Sequence, residues 1–233
     1  MKQNILGVIG GLGPETGCWF CLNVNNKFKP LTKRQPHILL DNLPISQEAE
    51  ERLINGGPSK EHFDLLVESV QRLNKLNAKV IVIACNTVHI FIDELRKISN
   101  IPILSIIEET AKKCKEMNLT KVGLLGSTKT VRSELHSKEL KKWNIDVVTP
   151  NQTDQHFVSE CIIRIINHKV KDDDKKNMIK IIKKLEKDGA RGIILGCTDL
   201  PLLLSDQDAN IPVINTTQIL EDSAVNNLIN GTE

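Results

Sequence analysis

Two apolar runs of the chain each end in a cysteine that is followed by polar residues. Residues 80–87 read VIVIACNT, and residues 192–199 read GIILGCTD. An apolar run that stops abruptly at polar groups is typical of a buried parallel strand, whose last side chains lie at the edge of a sheet. Two such strands would present the thiols of Cys85 and Cys197, and a thiol acts chemically through its thiolate. The pattern predicts one site with a sulfur on either side.

The cysteine segments belong to a longer internal repeat. Residues 5–11 (ILGVIGG) resemble residues 121–127 (KVGLLGS), and each of these segments precedes one of the cysteines. An Ile-Pro-aliphatic triplet follows each cysteine, at residues 101–103 and 211–213. Three landmarks in the same order at nearly the same spacing indicate an internal duplication.

The elements that must position the cysteines alternate between strand-like and helix-like patterns. Strands separated by helical segments indicate parallel sheets covered on both faces. Together with the repeat, this predicts an α/β fold of two similar parallel-sheet lobes, related by an internal pseudo-twofold duplication, with the active site in the cleft between them. We expect an N-terminal lobe of residues 1–105 plus 215–233 and a C-terminal lobe of residues 106–214. The predicted strands are 4–10, 37–41, 80–84, 101–105, 121–126, 145–149, 192–196 and 211–214, and the predicted helices are 14–28, 59–77, 88–98, 107–117, 130–143, 154–168, 173–188 and 217–229.

The composition bounds the class of protein. The 233 residues carry 31 basic and 29 acidic side chains, for a formal net charge of +2, and only 3% are aromatic. This balance favours neither a nucleic-acid partner nor an anionic membrane surface. The sequence contains no apolar run of about 18 residues and no signal-peptide pattern, so we expect a soluble, cytoplasmic protein.

The four other cysteines serve as a comparison for Cys85 and Cys197. In a cytoplasmic chain, six cysteines do not predict a disulfide framework. Cys18 and Cys21 form a C-x-x-C, but it lies in a predicted helix and no second pair completes a zinc site. Cys114 and Cys161 fall in helical patterns and are expected in the core. We therefore predict no metal site.

A glycine-rich turn follows the first predicted strand. Residues 10–14 read GGLGP, and such turns before a helix can hold phosphate. The dinucleotide fingerprint is incomplete, because Thr16 stands where its third glycine would lie. We interpret the segment as a tight turn whose backbone N–H groups, around Gly11 and Gly13, bind a small anion.

These motifs together resemble those of the aspartate/glutamate racemase superfamily, and within it the aspartate racemase branch. The resemblance rests on ACNTVH at 84–89, GCTD at 196–199, GGLGP at 10–14 and ILSIIEET at 103–110, and it covers essentially the whole chain. It implies a two-lobed α/β enzyme that needs no cofactor and is commonly a homodimer. It also implies that Cys85 and Cys197 face each other across the α-carbon of a small amino-acid substrate.

Racemisation needs the groups that this sequence supplies. One group removes the α-proton from one face and another returns a proton to the opposite face, so two acid/base groups on opposite sides suffice. Helix N-termini following the cysteines would lower the pKa of the thiols. The expected hydrogen-bonding partners of the substrate are Asn86, Thr87, Thr198, Ser127, Thr128 and Thr130, although helix N-capping is an alternative role for the threonines. His89 either faces the thiolate of Cys85 or is a buried histidine with satisfied hydrogen bonds.

The substrate side chain is less clearly specified than the reaction. By resemblance, we expect aspartate first and glutamate second, gripped by an arginine in the loop after the second strand. An ungapped count places Glu48 at that position, and Arg52 lies one helical turn further on. A second cation from the other lobe would be Lys169 or Lys171. Asp199 also departs from the glutamate usual after G-C-T in aspartate racemases.

The sequence leaves three alternatives open. With Glu48 in place of the arginine, the substrate would be a basic or polar amino acid, because a carboxylate attracts such side chains. Single-cysteine decarboxylases and maleate isomerases share the architecture, but the presence of both Cys85 and Cys197 favours a racemase. A bilobed chain could also be a non-enzymatic small-molecule binding protein, although such a protein has no need for two matched thiols.

Overall fold

The structure is a computed structural model that describes residues 4–13 and 15–230. It contains two four-stranded parallel sheets of identical topology, with the strand orders β2-β1-β3-β4 and β6-β5-β7-β8. This confirms the two-lobed α/β fold, and all eight predicted strands are present. The strands are β1 Ile5–Gly10, β2 His37–Asn42, β3 Val80–Ile83, β4 Ile103–Leu104, β5 Lys121–Gly126, β6 Asp146–Val148, β7 Ile193–Gly196 and β8 Val213–Asn215.

The helices follow the predicted order with two differences. A helix that the sequence did not predict, α2, follows β2, and the helix predicted at 130–143 is divided in two at Glu134, whose φ of 58° lies in the left-handed region. A 3₁₀ turn, Thr87–Phe91, precedes α4. The helices are α1 Thr16–Thr32, α2 Gln47–Ile54, α3 Lys60–Lys75, α4 Ile92–Ile98, α5 Ile106–Glu116, α6 Thr128–Ser133, α7 Leu135–Lys141, α8 Gln152–Ile166, α9 Asp174–Lys187 and α10 Thr216–Asn230.

The strand register places the two cysteines at equivalent points of the repeat. Gly7 of β1 lies opposite Ile81 of β3, and Gly123 of β5 lies opposite Ile193 of β7. Each cysteine follows its paired isoleucine by four residues. Because all eight strands are parallel, both thiols leave their sheets at the carboxyl edge, where polar residues replace the apolar strand.

Each sheet is covered by aliphatic side chains on both faces. Burying one leucine or isoleucine side chain contributes roughly 1.5–3 kcal/mol, so these layers supply most of the stability of each lobe. Cys114 and Cys161 lie in this core and are fully buried, as their helical patterns predicted.

Two helices connect the lobes. The C-terminal helix α10 returns to the first sheet and packs against α1 through Leu220 and Ala224. Helix α5 contributes Ile107 to that core and Cys114 to the core of the second sheet. Because α5 contacts both cores, the boundary predicted at residue 105 stays a prediction.

Within residues 4–13 and 15–230, no helix is long and apolar enough to cross a membrane.

Candidate active site

A small cavity lies between the carboxyl edges of the two sheets. Its volume is about 30 Å³, close to the volume that one water molecule occupies in the liquid. Residues from both halves of the repeat meet there, so the predicted site between the lobes corresponds to a real space. Its polar lining is Glu50, His62, Cys85, Asn86, Thr87, Ser127, Cys197, Thr198 and Asp199, and its apolar lining is Leu12, Leu53, Ile54, Val88, Ile162 and Ile166.

Cys85 lies between β3 and the 3₁₀ turn that begins at Thr87. The backbone N–H groups of Thr87 and Val88 donate hydrogen bonds to its sulfur, as expected at the start of a helical turn. These bonds favour the thiolate, but burial outweighs them and raises the pKa of the Cys85 thiol to about 11. The turn thus acts on this pKa in the expected direction, but desolvation is the larger effect and the net pKa is raised.

Cys197 is bonded to a buried carboxylate two residues further on. Its thiol donates to Oδ2 of Asp199 at 3.6 Å, and the hydroxyl of Thr16 donates to Oδ1 of Asp199 at 2.8 Å. Burial raises the pKa of Cys197 well above its ordinary value, and the Asp199 carboxylate raises it further. Cys85 also raises this pKa through its charge, so the two sulfurs are electrostatically coupled.

The glycine turn serves the protein's own carboxylates. Gly13 has φ of +112°, and a Cβ on it would lie 2.8 Å from both carboxylate oxygens of Asp199, so only glycine fits there. The backbone N–H of Gly13 donates to the carboxylate of Glu50. A Cβ on Gly11, with φ of +76°, would clash with the backbone of Leu43. The anion held at this turn is thus a side chain of α2, and neither glycine lines the cavity.

His89 is a buried residue whose ring bonds are satisfied. Its Nδ1 donates to the carbonyl of Cys85 at 2.7 Å, and its Nε2 accepts the backbone N–H of Ile106 at 3.2 Å. Burial lowers the pKa of His89 to about 4, so the ring is neutral near pH 7. The structure favours the second of the two alternatives for this residue: it ties the Cys85 segment to the first turn of α5.

Hydroxyl groups from both lobes form a buried triangle beside the cavity. Thr87 Oγ1 lies 3.0 Å from Ser127 Oγ and 3.0 Å from Thr130 Oγ1, and the last two oxygens are 2.9 Å apart. Ser127 also caps α6 by accepting the backbone N–H of Thr130. Thr87 and Ser127 line the cavity, whereas Thr130 lies behind them and supports them.

The side chain of Asn86 connects the lobes as well. Its Nδ2 donates to Thr216 Oγ1 at 3.0 Å, and its Oδ1 lies 3.1 Å from Nε2 of His136. Asn86 therefore reaches the cavity with one Nδ2 proton already in use. Thr198 lines the cavity and lies 3.5 Å from the carbonyl of Ala84.

Besides Gly11, Gly13 and Thr130, three further predicted contact residues lie away from the cavity. Thr128 bonds to Ser159 Oγ at 2.8 Å instead of lining the site. Glu48 and Arg52 pair with each other at 3.6 Å on the outer face of α2, where 88% of the Glu48 side chain is exposed. Lys169 and Lys171 are exposed as well. None of the cations considered for gripping a carboxylate reaches the cavity.

Sequence reasoning missed two polar residues that do line it, Glu50 and His62. Glu50 lies on α2, whose N-terminus is capped by Ser46 and whose inner face carries Ala49, Leu53 and Ile54. Burial, and to a smaller extent the negative charge of Asp199, raises the pKa of the Glu50 carboxyl group to about 7. The signal for α2 was a serine cap with acidic residues in the first turn and Arg52 in the last.

Comparisons with known proteins agree with this geometry. Residues 9–224 match the family model Asp/Glu/Hydantoin racemase. The broad specificity amino-acid racemase RacX of Bacillus subtilis (strain 168) is 25% identical over 228 residues, which cover 95% of this chain and 96% of that protein. A crystal structure described as a "putative Asp/Glu Racemase from Yersinia pestis" is 30% identical with a TM-score of 0.85, and the match covers 97% of this chain and 99% of that one.

Aspartate racemase from Picrophilus torridus shows the same fold, with a TM-score of 0.79 and 24% identity over 97% of this chain and 94% of that one. The superfamily predicted from the cysteine motifs is confirmed. The chain belongs to the Asp/Glu/hydantoin racemase family.

Proposed function

We propose that this protein is an amino-acid racemase that uses Cys85 and Cys197 as opposed acid and base, without a cofactor. The observation that carries the proposal is the placement of two cysteines at equivalent positions of a repeated strand, lining one cavity. Membership of a racemase family supports an isomerase acting on amino acids. The other cysteines lie in the core or on α1, away from the cavity.

In the proposed reaction, the thiolate of one cysteine removes the α-proton and becomes a thiol. The thiol of the other cysteine gives its proton to the opposite face of the planar carbanion and becomes a thiolate. The α-carbon is inverted, and the protein is left ready for the opposite enantiomer. Each turnover therefore needs both sulfurs, one ionised and one protonated.

The surroundings of the thiols suggest how one of them ionises. The thiol of Cys197 donates a hydrogen bond to the carboxylate of Asp199, and this bond favours the protonated form of Cys197. Cys85 has two backbone N–H donors at its sulfur, which favour a thiolate. The α-ammonium group of a bound amino acid adds a positive charge to this desolvated site, and an opposite charge nearby lowers the pKa of a thiol. Substrate binding would thus generate the base.

The remaining parts of the proposal rest on resemblance. Aspartate first and glutamate second are the substrates that the sequence motifs favour, although the charges of the cavity favour a different class, as argued below. Cys85, Cys197, Asn86, Thr87, Ser127 and Thr198 would surround the reacting carbon. We further propose a cytoplasmic homodimer whose activity does not depend on pyridoxal phosphate or on a chelatable metal.

The test is exchange of the α-proton of proteinogenic and related amino acids in deuterated water, followed by NMR. Cys85→Ala and Cys197→Ala should each lower racemisation by at least about 10²- to 10⁴-fold in both directions, the usual contribution of a general acid or base. Cys18→Ser, at an exposed position of α1, is the matched control and should retain full activity. Undiminished racemisation by Cys85→Ala would contradict the two-base mechanism.

A further inference from the structure

The charges around the cavity do not suit a substrate with an acidic side chain. Two carboxylates, Glu50 and Asp199, line it, and no lysine or arginine among the described residues does. Of the cations near α2, Arg52 pairs with Glu48 and Lys129 donates to the carbonyl of Gly57 at 3.3 Å. Arg132 lies beside Gly56, after the end of α2, and does not line the cavity. The side-chain carboxylate of aspartate would therefore enter a desolvated site next to two acidic side chains and no cation, which is unfavourable.

Asp199 and Glu50 differ in how many of their hydrogen-bond acceptor sites are already occupied. Asp199 accepts hydrogen bonds from the hydroxyl of Thr16 and from the thiol of Cys197. These two bonds fix the position of its carboxylate beside the sulfur of Cys197. Glu50 accepts the backbone N–H of Gly13 and has no cationic partner among the described residues. A carboxylate has about four acceptor sites, so most of the capacity of Glu50 remains for a ligand.

His62 adds a second unused polar group to the same wall. It lies on α3, lines the cavity and is only 1% exposed, yet its Nδ1 has no hydrogen-bond partner. Burial lowers the pKa of His62, so the ring is neutral near pH 7 and can accept a hydrogen bond at one nitrogen. Buried polar atoms are rarely left unpaired, so this nitrogen is available to a water molecule or to a ligand group.

The rest of this wall is aliphatic. Leu53 and Ile54 from α2 face Ile162 and Ile166 from α8. Such a surface suits a chain of methylene groups, because burying each one contributes favourably without requiring a hydrogen bond. The subsite thus combines an apolar passage with two acceptors, the carboxylate of Glu50 and the neutral ring of His62.

We propose that this subsite selects an amino acid with an aliphatic stem ending in an amine, such as ornithine or lysine, and rejects aspartate and glutamate. Glu50 serves as the counter-ion of the amine, and His62 accepts its second hydrogen bond. Asp199, beside the reacting sulfur, faces the α-ammonium group. A cationic side chain on the substrate would favour the ionised form of Glu50, whose pKa burial raises to about 7. This inference rests on the proposed racemase function.

The first test compares α-proton exchange of ornithine, norvaline and aspartate by the wild-type protein. Norvaline has the carbon skeleton of ornithine without the amine, so the ratio of the two kcat/KM values isolates the contribution of the amine. We expect ornithine to exceed norvaline by at least about tenfold, because a site built to bond a polar group rejects the analogue that lacks it. Aspartate should be the poorest of the three. Equal rates for ornithine and norvaline, or fastest exchange of aspartate, would overturn the proposal while leaving the racemase function in place.

The second test assigns the amine to Glu50. Glu50→Gln should reduce the ornithine-to-norvaline ratio to near one, since the amide keeps the shape but loses the charge. Glu48→Gln is the matched control: it lies on the same helix, is exposed to solvent and should keep the wild-type ratio. An unchanged ratio in Glu50→Gln would overturn the assignment.

A measurement that does not depend on turnover distinguishes the racemase proposal from the amine-subsite proposal. If no amino acid exchanges its α-proton, the racemase function fails. Tighter binding of ornithine than of norvaline or aspartate, measured by isothermal titration calorimetry, would still support the amine subsite. Equal binding of the three, or tightest binding of aspartate, would overturn it.

Discussion

Burial opposes the ionisation of both sulfurs of the cavity more strongly than their hydrogen bonds to backbone N–H groups favour it. Burial raises the pKa of Cys85 to about 11 and that of Cys197 well above its ordinary value. The reactivity of Cys85 in the free protein should therefore depend steeply on pH.

We expect alkylation of Cys85 by iodoacetamide to accelerate about tenfold for each pH unit from about pH 7 to pH 9. Only the thiolate reacts, and its fraction rises tenfold per unit below the pKa. The experiment uses Cys18→Ser, which removes the exposed thiol of α1, with peptide mass spectrometry to follow Cys85. A rate that levels off at about pH 8.5, the ordinary pKa of a thiol, would show that the pKa of Cys85 is not raised.

Among the elements, α2 determines what the substrate side chain meets, and it is the helix that the sequence did not predict. Its eight residues bury only Ala49, Leu53 and Ile54, which is too short a pattern to distinguish from a polar loop. An ungapped count in the sequence chose Glu48, but two residues along a helix correspond to a rotation of about 200°. Glu48 therefore faces solvent and Glu50 faces the cavity.

The strands were predictable for the opposite reason. Buried parallel strands are continuous apolar runs, and the repeat showed the same run twice, so both cysteines could be assigned to strand ends from the sequence. The break in the predicted helix 130–143 could not be predicted, because Glu134 adopts a left-handed conformation that its residue type does not favour. Likewise, the bonds that make His89 a supporting residue depend on Ile106, seventeen residues away.

Loss of the cap of α2 should weaken substrate binding more than it weakens the fold. Ser46 accepts the backbone N–H of Ala49 at 3.3 Å, and N-cap removal costs about 1 kcal/mol. We expect Ser46→Ala to increase amide hydrogen exchange over residues 47–54 and to raise KM, because Glu50 loses its fixed position. Asn151→Ala removes the cap of α8 and is the control, since its loss should lower stability without raising KM. Equal KM values for the two variants would contradict this role of α2.

At the scale of the whole molecule, the closed cavity requires that the two lobes, or α2 and the second lobe, separate to admit a ligand. A cavity of about 30 Å³ cannot hold an amino acid. The contacts on its two sides differ. Thr87 and Ser127 join the lobes through buried hydroxyls, whereas α2 meets the end of α8 through partly exposed bonds. Exposed bonds exchange readily with water, so we expect α2 to be the side that opens.

Asn167 holds that side closed. It accepts from Gln47 Nε2 at 2.9 Å and donates to Glu51 Oε1 at 3.1 Å, linking both ends of the first turn of α2 to α8. Hydrogen bonds of this kind contribute about 0.5–1.5 kcal/mol net, so Asn167→Ala should open the site about 2- to 10-fold more often. Cys197 is 9% exposed in the closed protein, and its alkylation at fixed pH, followed by peptide mass spectrometry, should accelerate by that factor. Asn226→Ala, at an exposed position of α10, should leave the rate unchanged. If both variants react at the wild-type rate, the bonds of Asn167 do not hold the site closed and α2 is not the side that opens.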